Sequence, residues 1–218
     1  MFEEHKFRSA KHPGDYLDYL SYAPTTPTDK LPLMIYIHDA GNRGSSLKPL
    51  RNDHILQDIA RHRCAEVMLI APQCHSETWF DLFHVLKELI SNARQDSRVD
   101  SRRVYLLGAG MGAYAVWQLC ISHPTWFAAA VPVCGGGMYW NAGRLKNLPV
   151  WAFHGLKDNI VLPCESSHMV DAINRLGGHA KLTCFPNADH NAWDPAFSHE
   201  PMWVWLFQQK IQEENYAF

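Results

Sequence analysis

Short runs of continuous apolar residues, each ended by a loop and most followed by a helical pattern, constrain the fold of this chain more than any other feature. Such a run is typical of a strand buried on both faces of a parallel sheet. After the second run, for example, Leu82, Val85, Leu86 and Leu89 recur at helical spacing. The apolar runs are residues 33–37, 67–71, 104–107, 128–133, 150–154 and 180–185, with a weaker candidate strand at 16–22. The order predicts an α/β fold, in which a mostly parallel central sheet has helices on both faces. We expect one domain over residues 1–218.

Composition excludes several classes of protein. Of 218 residues, 47% are hydrophobic and 19% are charged, which is too apolar for a disordered chain. The net charge of −2 and the lack of basic blocks argue against nucleic acid as a partner. No apolar run reaches the roughly 18 residues of a membrane span, and the first residues lack the apolar segment of a signal peptide. We therefore expect a cytoplasmic protein without a membrane span.

The six cysteines are scattered and form no C-x-x-C pair. This pattern favours free, mostly buried thiols over disulfides or a zinc framework. His54, Asp58 and His62 share one helical face, which we interpret as a solvated surface and not as a metal site. Residues 135–137 are three glycines without the G-K-[ST] ending of a phosphate loop, and we expect a flexible connection there. No cofactor or metal is expected.

Candidate functional residues are those that follow the apolar runs, because ligands of an open parallel sheet bind beyond the carboxyl ends of its strands. Residues 38–41, with the sequence His-Asp-Ala-Gly, follow the first run. Residues 108–112, with the sequence Gly-Ala-Gly-Met-Gly, follow the third, and Asp158 and His190 follow later ones.

In this order, these segments resemble the α/β-hydrolase fold. Within it they are similar to a small carboxylesterase/phospholipase group related to poly(hydroxyalkanoate) depolymerases and to prolyl-oligopeptidase-like esterases. The landmarks that carry the resemblance are residues 33–44, 71–74, 104–112, 131–137, 154–158 and 186–195. The resemblance covers nearly the whole chain and implies acyl-ester hydrolysis without a cofactor. It also implies a small ester or acyl ligand as the partner.

The resemblance implies a triad in the order serine, acid, histidine, with the serine at the centre of G-x-S-x-G. Asp158 fits the acid that orients the histidine, and His190 fits the base. The nucleophile position is occupied by Gly110, which has no side chain to attack a carbonyl. Backbone N–H groups of Met111 and Ala40 are the implied oxyanion donors.

The loop at 38–41 departs from the resemblance at Asp39, where a glycine is expected. If Asp39 faces the pocket, its carboxylate repels a developing oxyanion; if it faces solvent, it is a turn residue, which we favour. His38, Asp39 and Trp79 are candidate pocket residues. Trp79 and Phe80 could equally line an acyl pocket or cover the core.

Three functions remain open. The first is a serine-esterase scaffold that is impaired because it lacks its nucleophile, whether by nature or by design. The second is a weak hydrolase in which His190 activates water directly. Cys134 follows a different strand, and the sequence does not place its thiol beside His190 as a replacement nucleophile. The third is a non-catalytic domain that binds a ligand or a protein.

Overall fold

Residues 1–24 and 29–212, which the computed structural model describes, contain one sheet of eight strands. Its order is β1-β2-β4-β3-β5-β6-β7-β8, with β1 and β2 antiparallel to their neighbours and β3 to β8 parallel. The strands are β1 (Glu3–Arg8), β2 (Tyr16–Tyr22), β3 (Leu31–Ile37), β4 (Met68–Pro72), β5 (Val99–Ala109), β6 (Ala129–Val133), β7 (Trp151–Gly155) and β8 (Lys181–Phe185). The prediction of a mostly parallel sheet is confirmed.

Helices cover both faces of this sheet. The α-helices are α1 (Lys48–Arg51), α2 (His54–Arg63), α3 (Phe83–Arg94), α4 (Met111–Ser122), α5 (Pro163–Arg175), α6 (Trp193–Phe197) and α7 (Glu200–Gln208). Short 3₁₀ helices lie at Ala40–Asn42, Pro124–Trp126 and Tyr139–Leu145. The core on one face packs against α3, α4 and α5, and the core on the other against α2, α6 and α7. None of the helices in the described residues has the length and apolar character needed to cross a bilayer.

Strand β3 shows why its sequence reads as a continuous apolar run. Leu33, Ile35 and Ile37 point into the first core, while Met34 and Tyr36 point into the second. Both sets are buried because side chains alternate across a strand and both faces of this sheet are covered. The helices on both faces confirm the predicted layers.

Strand β1 was not predicted, and its position explains the omission. Among the described residues it is an edge strand paired only with β2, and most of its side chains are polar or charged and exposed. Edge strands commonly carry such residues, which remove the apolar pattern on which the prediction depends. The predicted extent of the domain, residues 1–218, stays a prediction.

The parallel strands bring the candidate residues to one edge of the sheet. Strands β3, β5, β7 and β8 end immediately before the loops that carry residues 38–41, Gly110, Asp158 and His190, respectively. Since parallel strands end at the same edge, these loops are neighbours in space although they are far apart in the sequence.

Candidate active site

Gly110 is the single residue between β5 and α4, and it forms a sharp turn. Its backbone has φ +51° and ψ −118°, a left-handed conformation that favours glycine. The Gly110 N–H donates to the carbonyl of Val133 at 2.9 Å, and its carbonyl accepts from the N–H of Ala113 at 2.9 Å. The turn is therefore anchored on both sides, to β6 and to the first turn of α4.

Two other loops meet at Gly110. A Cβ atom built on this glycine would lie 3.2 Å from Nε2 of His190 and 3.2 Å from Cβ of Asp39. The loops after β3 and β8 thus contact the position from which a side chain at residue 110 would project. The structure brings Gly110, Asp39 and His190 together.

His190 forms a hydrogen bond with Asp158 through Nδ1, the ring nitrogen that does not face Gly110. Nδ1 lies 2.7 Å from Oδ2 of Asp158, while Oδ1 of Asp158 accepts from the N–H groups of Ile160 and Val161, both at 2.9 Å. Burial favours the neutral acid, but the hydrogen bonds from His190, Val161 and Ile160 outweigh it and hold the pKa of Asp158 below its usual value. An ionised Asp158 accepts the Nδ1 proton, so Nε2 directs a lone pair toward the space beside Gly110.

The structure also places His154, Ser166 and Cys134 around Asp158, and none of the three was predicted as a site residue. His154 Nε2 lies 3.2 Å from Asp158 Oδ2 and 2.9 Å from the carbonyl of Val161. His154 Nδ1 lies 2.7 Å from Oγ of Ser166, whose hydroxyl donates to the carbonyl of Gly135. These partners are buried, and they hold the loop that carries Asp158 against β6 and α5.

Cys134 is the third of these residues. It has φ +53° at the end of β6, and its thiol, His154 and Asp158 have ligand-type atoms within 4.8 Å of one another. Burial raises the pKa of Cys134 to about 12, so the group is a thiol and not the thiolate that binds metals. His154 and Asp158 are already occupied by protein partners, which argues against a metal at this position.

Asp39 is a turn residue that also borders the site. Its carboxylate accepts from the N–H of Gly41 at 3.1 Å and thereby caps the 3₁₀ helix Ala40–Asn42. The N–H groups of Ala40 and Met111 have no protein acceptor within residues 1–24 and 29–212. Ala40 is exposed, and Met111 opens α4, where helix N–H groups lack intrahelical partners.

His38 and Trp79, predicted as pocket residues, lie fully buried beneath this loop. The Trp79 indole N–H donates to the carbonyl of His38 at 3.0 Å, and the two rings pack with centroids 5.0 Å apart. His38 Nε2 accepts from the N–H of Cys74, so Nδ1 carries the proton donated to the carbonyl of Asp39. Both side chains support the loop and, in this conformation, present no surface to a ligand.

The glycines at 135–137 do not form the flexible connection that we expected. A Cβ on Gly135 would lie 2.5 Å from Cβ of Ala113, and one on Gly136 would lie 2.6 Å from Oε2 of Glu165. The segment passes so close to α4 and α5 that side chains there would collide with both helices. The glycines are explained by tight packing.

Large apolar side chains are exposed in the loops that follow β6 and β7. Trp140 is 73% exposed and Ile160 is 72% exposed, and Tyr139 and Leu162 are about half exposed. Ile160 and Leu162 flank the loop that holds Asp158, and Tyr139 packs edge-on against Trp140. The sequence offers no signal for this exposure, because large aromatic residues more often belong to a core.

Comparison with known proteins gives the family. Residues 54–198, more than half of the chain, match the model of the dienelactone hydrolase family. This segment contains Gly110, Asp158 and His190 but not Asp39 or Ala40. A search of curated protein sequences found no match.

Solved structures share the fold. A thermostable esterase is similar with a TM-score of 0.83 and 26% identity over 96% of this chain, which spans 63% of the esterase's length. Est1E from Butyrivibrio proteoclasticus has a TM-score of 0.69 and 14% identity, with 93% of this chain and 98% of Est1E covered. An acylaminoacyl peptidase from Pyrococcus horikoshii has a TM-score of 0.71 and 14% identity, with all of this chain and 43% of the peptidase covered. The chain is a member of the dienelactone hydrolase family and has the α/β-hydrolase fold.

Proposed function

We propose that this chain is a carboxylesterase-type hydrolase scaffold that binds a small ester or acyl ligand and hydrolyses it poorly or not at all. The observation that carries the proposal is the position of His190. Its Nε2 lies 3.2 Å from the Cβ position of Gly110, and its Nδ1 is held by Asp158. A base is therefore oriented toward a nucleophile position that contains no nucleophile.

The proposed roles follow from acyl-transfer chemistry. A hydroxyl at position 110 would pass its proton to Nε2 of His190 as its oxygen attacks the ester carbonyl. Asp158 would stabilise the resulting imidazolium, and the N–H groups of Met111 and Ala40 would donate to the oxyanion. Gly110 has no hydroxyl, so it cannot attack the ester carbonyl. The other groups can then bind a ligand but have no nucleophile at residue 110 to assist.

Restoring the nucleophile tests this proposal. We expect Gly110→Ser to hydrolyse p-nitrophenyl acetate and butyrate at least roughly 10³-fold faster than the unmodified protein, the size of effect expected for a triad nucleophile. The matched control is Gly110→Ser combined with His190→Ala, which keeps the serine but removes its base and should lose the gain. If Gly110→Ser is as inert as the unmodified protein while it folds and melts cooperatively, the proposed roles are wrong.

Hydrolysis by water that His190 activates is a second candidate. It is favoured by the fact that Nε2 of His190 has no hydrogen-bond partner in the described part of the chain. Serine hydrolases without their nucleophile retain about 10³–10⁴-fold catalysis over water. This candidate requires an ester hydrolysis rate that falls in His190→Ala, and an unchanged rate in that variant would exclude it.

A non-catalytic binding role is the third candidate, supported by the exposed side chains of Tyr139, Trp140, Ile160 and Leu162. Trp140→Ala should then abolish binding of a ligand or partner while leaving any esterase rate gained by Gly110→Ser intact. We also propose a cytoplasmic location, and the six free thiols support a reducing compartment.

A further inference from the structure

A second cluster of chemically active side chains lies outside the candidate active site. The loop between β1 and β2 carries His12 and Asp15, and the first turn of α3 carries His84. One ligand-type atom from each of these three side chains lies within 4.8 Å of the other two. His84 Nε2 is 2.5 Å from Oδ2 of Asp15, and the rings of His12 and His84 have centroids 4.6 Å apart.

The cluster lies at the same edge of the sheet as the candidate active site. It is beside the outer strands β1 and β2, whereas the candidate active site follows the central strand β5. In the antiparallel pair, Tyr19 of β2 is opposite Pro72, the last residue of β4, so the start of β2 extends beyond the carboxyl end of β4. Strands β4 and β3 separate β2 from β5, which leads to Gly110. At about 4.8 Å per strand, the two sites are on the order of 14 Å apart or more.

The loop that carries His12 and Asp15 is held in place before any ligand binds. The carboxylate of Glu88 accepts from the hydroxyl of Ser9 and from the N–H of Ala10. Ser9 Oγ in turn accepts from the N–H of His12 at 2.9 Å. The Asp15 N–H donates to the carbonyl of His12 at 3.1 Å, which closes the turn.

Glu88 also links this loop to the histidine on the helix. Glu88 and His84 are four residues apart on α3 and therefore lie on one face of that helix. The same face thus provides one candidate ligand and the carboxylate that fixes the loop carrying the other two.

We propose that His12, Asp15 and His84 bind a divalent transition metal, with zinc as the best match. Two imidazole nitrogens and one carboxylate oxygen are a common donor set for zinc, which takes ligands at about 2.0–2.2 Å. At these bond lengths the ligand atoms around a tetrahedral ion are roughly 3.3 Å apart. The 2.5 Å pair of Asp15 and His84 must therefore separate slightly, and the His12 ligand atom already lies within 4.8 Å of both. His12 is exposed and the other two side chains are partly exposed, which leaves room for rotation and for water at a fourth position.

The bound ion would tie the loop between the two outer strands to α3. In the described part of the chain, β1 pairs only with β2, and Phe7 is its one side chain that packs against the core, so this link would stabilise the outer edge of the sheet. Because binding occurs to the folded state, the melting temperature should rise with zinc concentration.

Titration of the tag-free chain of residues 1–218 with ZnCl₂ by calorimetry tests the proposal, with thermal melting as a second measurement. We expect one zinc per chain, a rise in melting temperature, and a loss of affinity of more than about tenfold in His84→Ala and in His12→Gln. Far-UV circular dichroism verifies that both variants are folded. His12→Gln changes an exposed side chain, so it keeps the test valid if His84→Ala unfolds.

The matched control is His54→Ala. His54 is also exposed and also bonds an aspartate, Asp194, at 2.5 Å, but no third ligand-type group joins this pair in the described residues. Its substitution should leave zinc binding unchanged. The proposal is overturned if the unmodified protein does not bind zinc. It is also overturned if His12→Gln and His84→Ala bind zinc as tightly as the unmodified protein.

Discussion

Gly110 meets two separate constraints, one on its backbone and one on the space around it. Its φ of +51° is unfavourable for residues with a side chain, and a Cβ would lie only 3.2 Å from both Asp39 and His190. Such contacts are tighter than ordinary van der Waals contact, so the two neighbours must move by a few tenths of an ångström. A substitution here therefore tests how firmly the surrounding loops are held.

We expect Gly110→Ala to lower the free energy of unfolding by about 1–3 kcal/mol, because it adds backbone strain and a crowded methyl group. Urea denaturation measures this loss. Gly14→Ala is the control, since Gly14 has φ +101° but open space around its Cβ position. It should cost about 1 kcal/mol through the backbone alone. Equal losses in the two variants would show that Asp39 and His190 move freely.

His38 is a buried histidine whose hydrogen bonds fix it in the neutral form. Nε2 accepts from the N–H of Cys74 at 3.0 Å, so a proton added there would break this bond. Burial lowers the pKa of His38 from 6.5 to about 4. The unfolded chain consequently binds a proton at a pH where the folded protein does not.

This difference predicts the sign of a pH effect on stability. Above about pH 6.5, His38 should not lower the free energy of unfolding. As the pH decreases from 6.5 to 4, the free energy of unfolding should fall by up to roughly 3 kcal/mol. Urea denaturation of the unmodified protein and of His38→Asn across this pH range measures the effect. Subtracting the two free energies of unfolding at each pH removes the contributions of the other titrating groups and leaves that of His38. Parallel curves for the two proteins would contradict the prediction.

At the scale of elements, the position of α4 depends on a close approach to β3. A Cβ on Gly112, in the first turn of α4, would lie 2.0 Å from the carbonyl oxygen of Ile37. The contact is with backbone, so no side-chain rotation can relieve it. This approach places the N-terminus of α4 beside the loop that carries Asp39 and Ala40.

Gly112→Ala should therefore displace α4 and destabilise the protein by more than about 3 kcal/mol, the upper part of the range for overpacked cores. Gly143→Ala is the matched control, because its Cβ would have only an ordinary contact of 3.5 Å with Leu176. Thermal and urea unfolding of both variants measure the difference. A Gly112→Ala protein as stable as the Gly143→Ala protein would show that α4 can shift at little cost.

The sequence was informative wherever local chemistry decides the structure. Apolar runs located the parallel strands, and the residues after them included Gly110, Asp158 and His190, which the structure brings to one edge. His154 and Ser166 could not be assigned because their contacts depend on the packing of β7 against α5. The pairing of His12 with His84 likewise joins residues more than seventy positions apart.

At the scale of the whole molecule, the sequence pattern predicts the sheet but not the order of its strands. Alternation of strands and helices favours parallel pairing, whereas β3 lies between β4 and β5 because of contacts that no local pattern encodes. The solvent exposure of each side chain depends on how these strands and their helices pack together. Trp79 and Trp140 have the same side chain, yet one is fully buried and the other is 73% exposed.

The reactivity of the six cysteines can measure how the chain packs, because all six are free and differ mainly in burial. Cys164 is exposed and Cys184 is half-buried, whereas the other four are buried. Burial also raises the pKa of the Cys64 thiol to about 12, and disfavours the reactive thiolate of Cys120 still more.

In the native protein, Ellman's reagent should therefore label Cys164 quickly and Cys184 more slowly, while Cys64, Cys74, Cys120 and Cys134 stay protected. In guanidinium chloride without a reductant, all six thiols should react, since no disulfide withholds any of them. Cys164→Ser is the control and should remove only the fast phase. Fast native labelling of Cys120 or Cys134 would mean that the structure opens locally far more readily than its packing implies, because neither residue has any exposed surface.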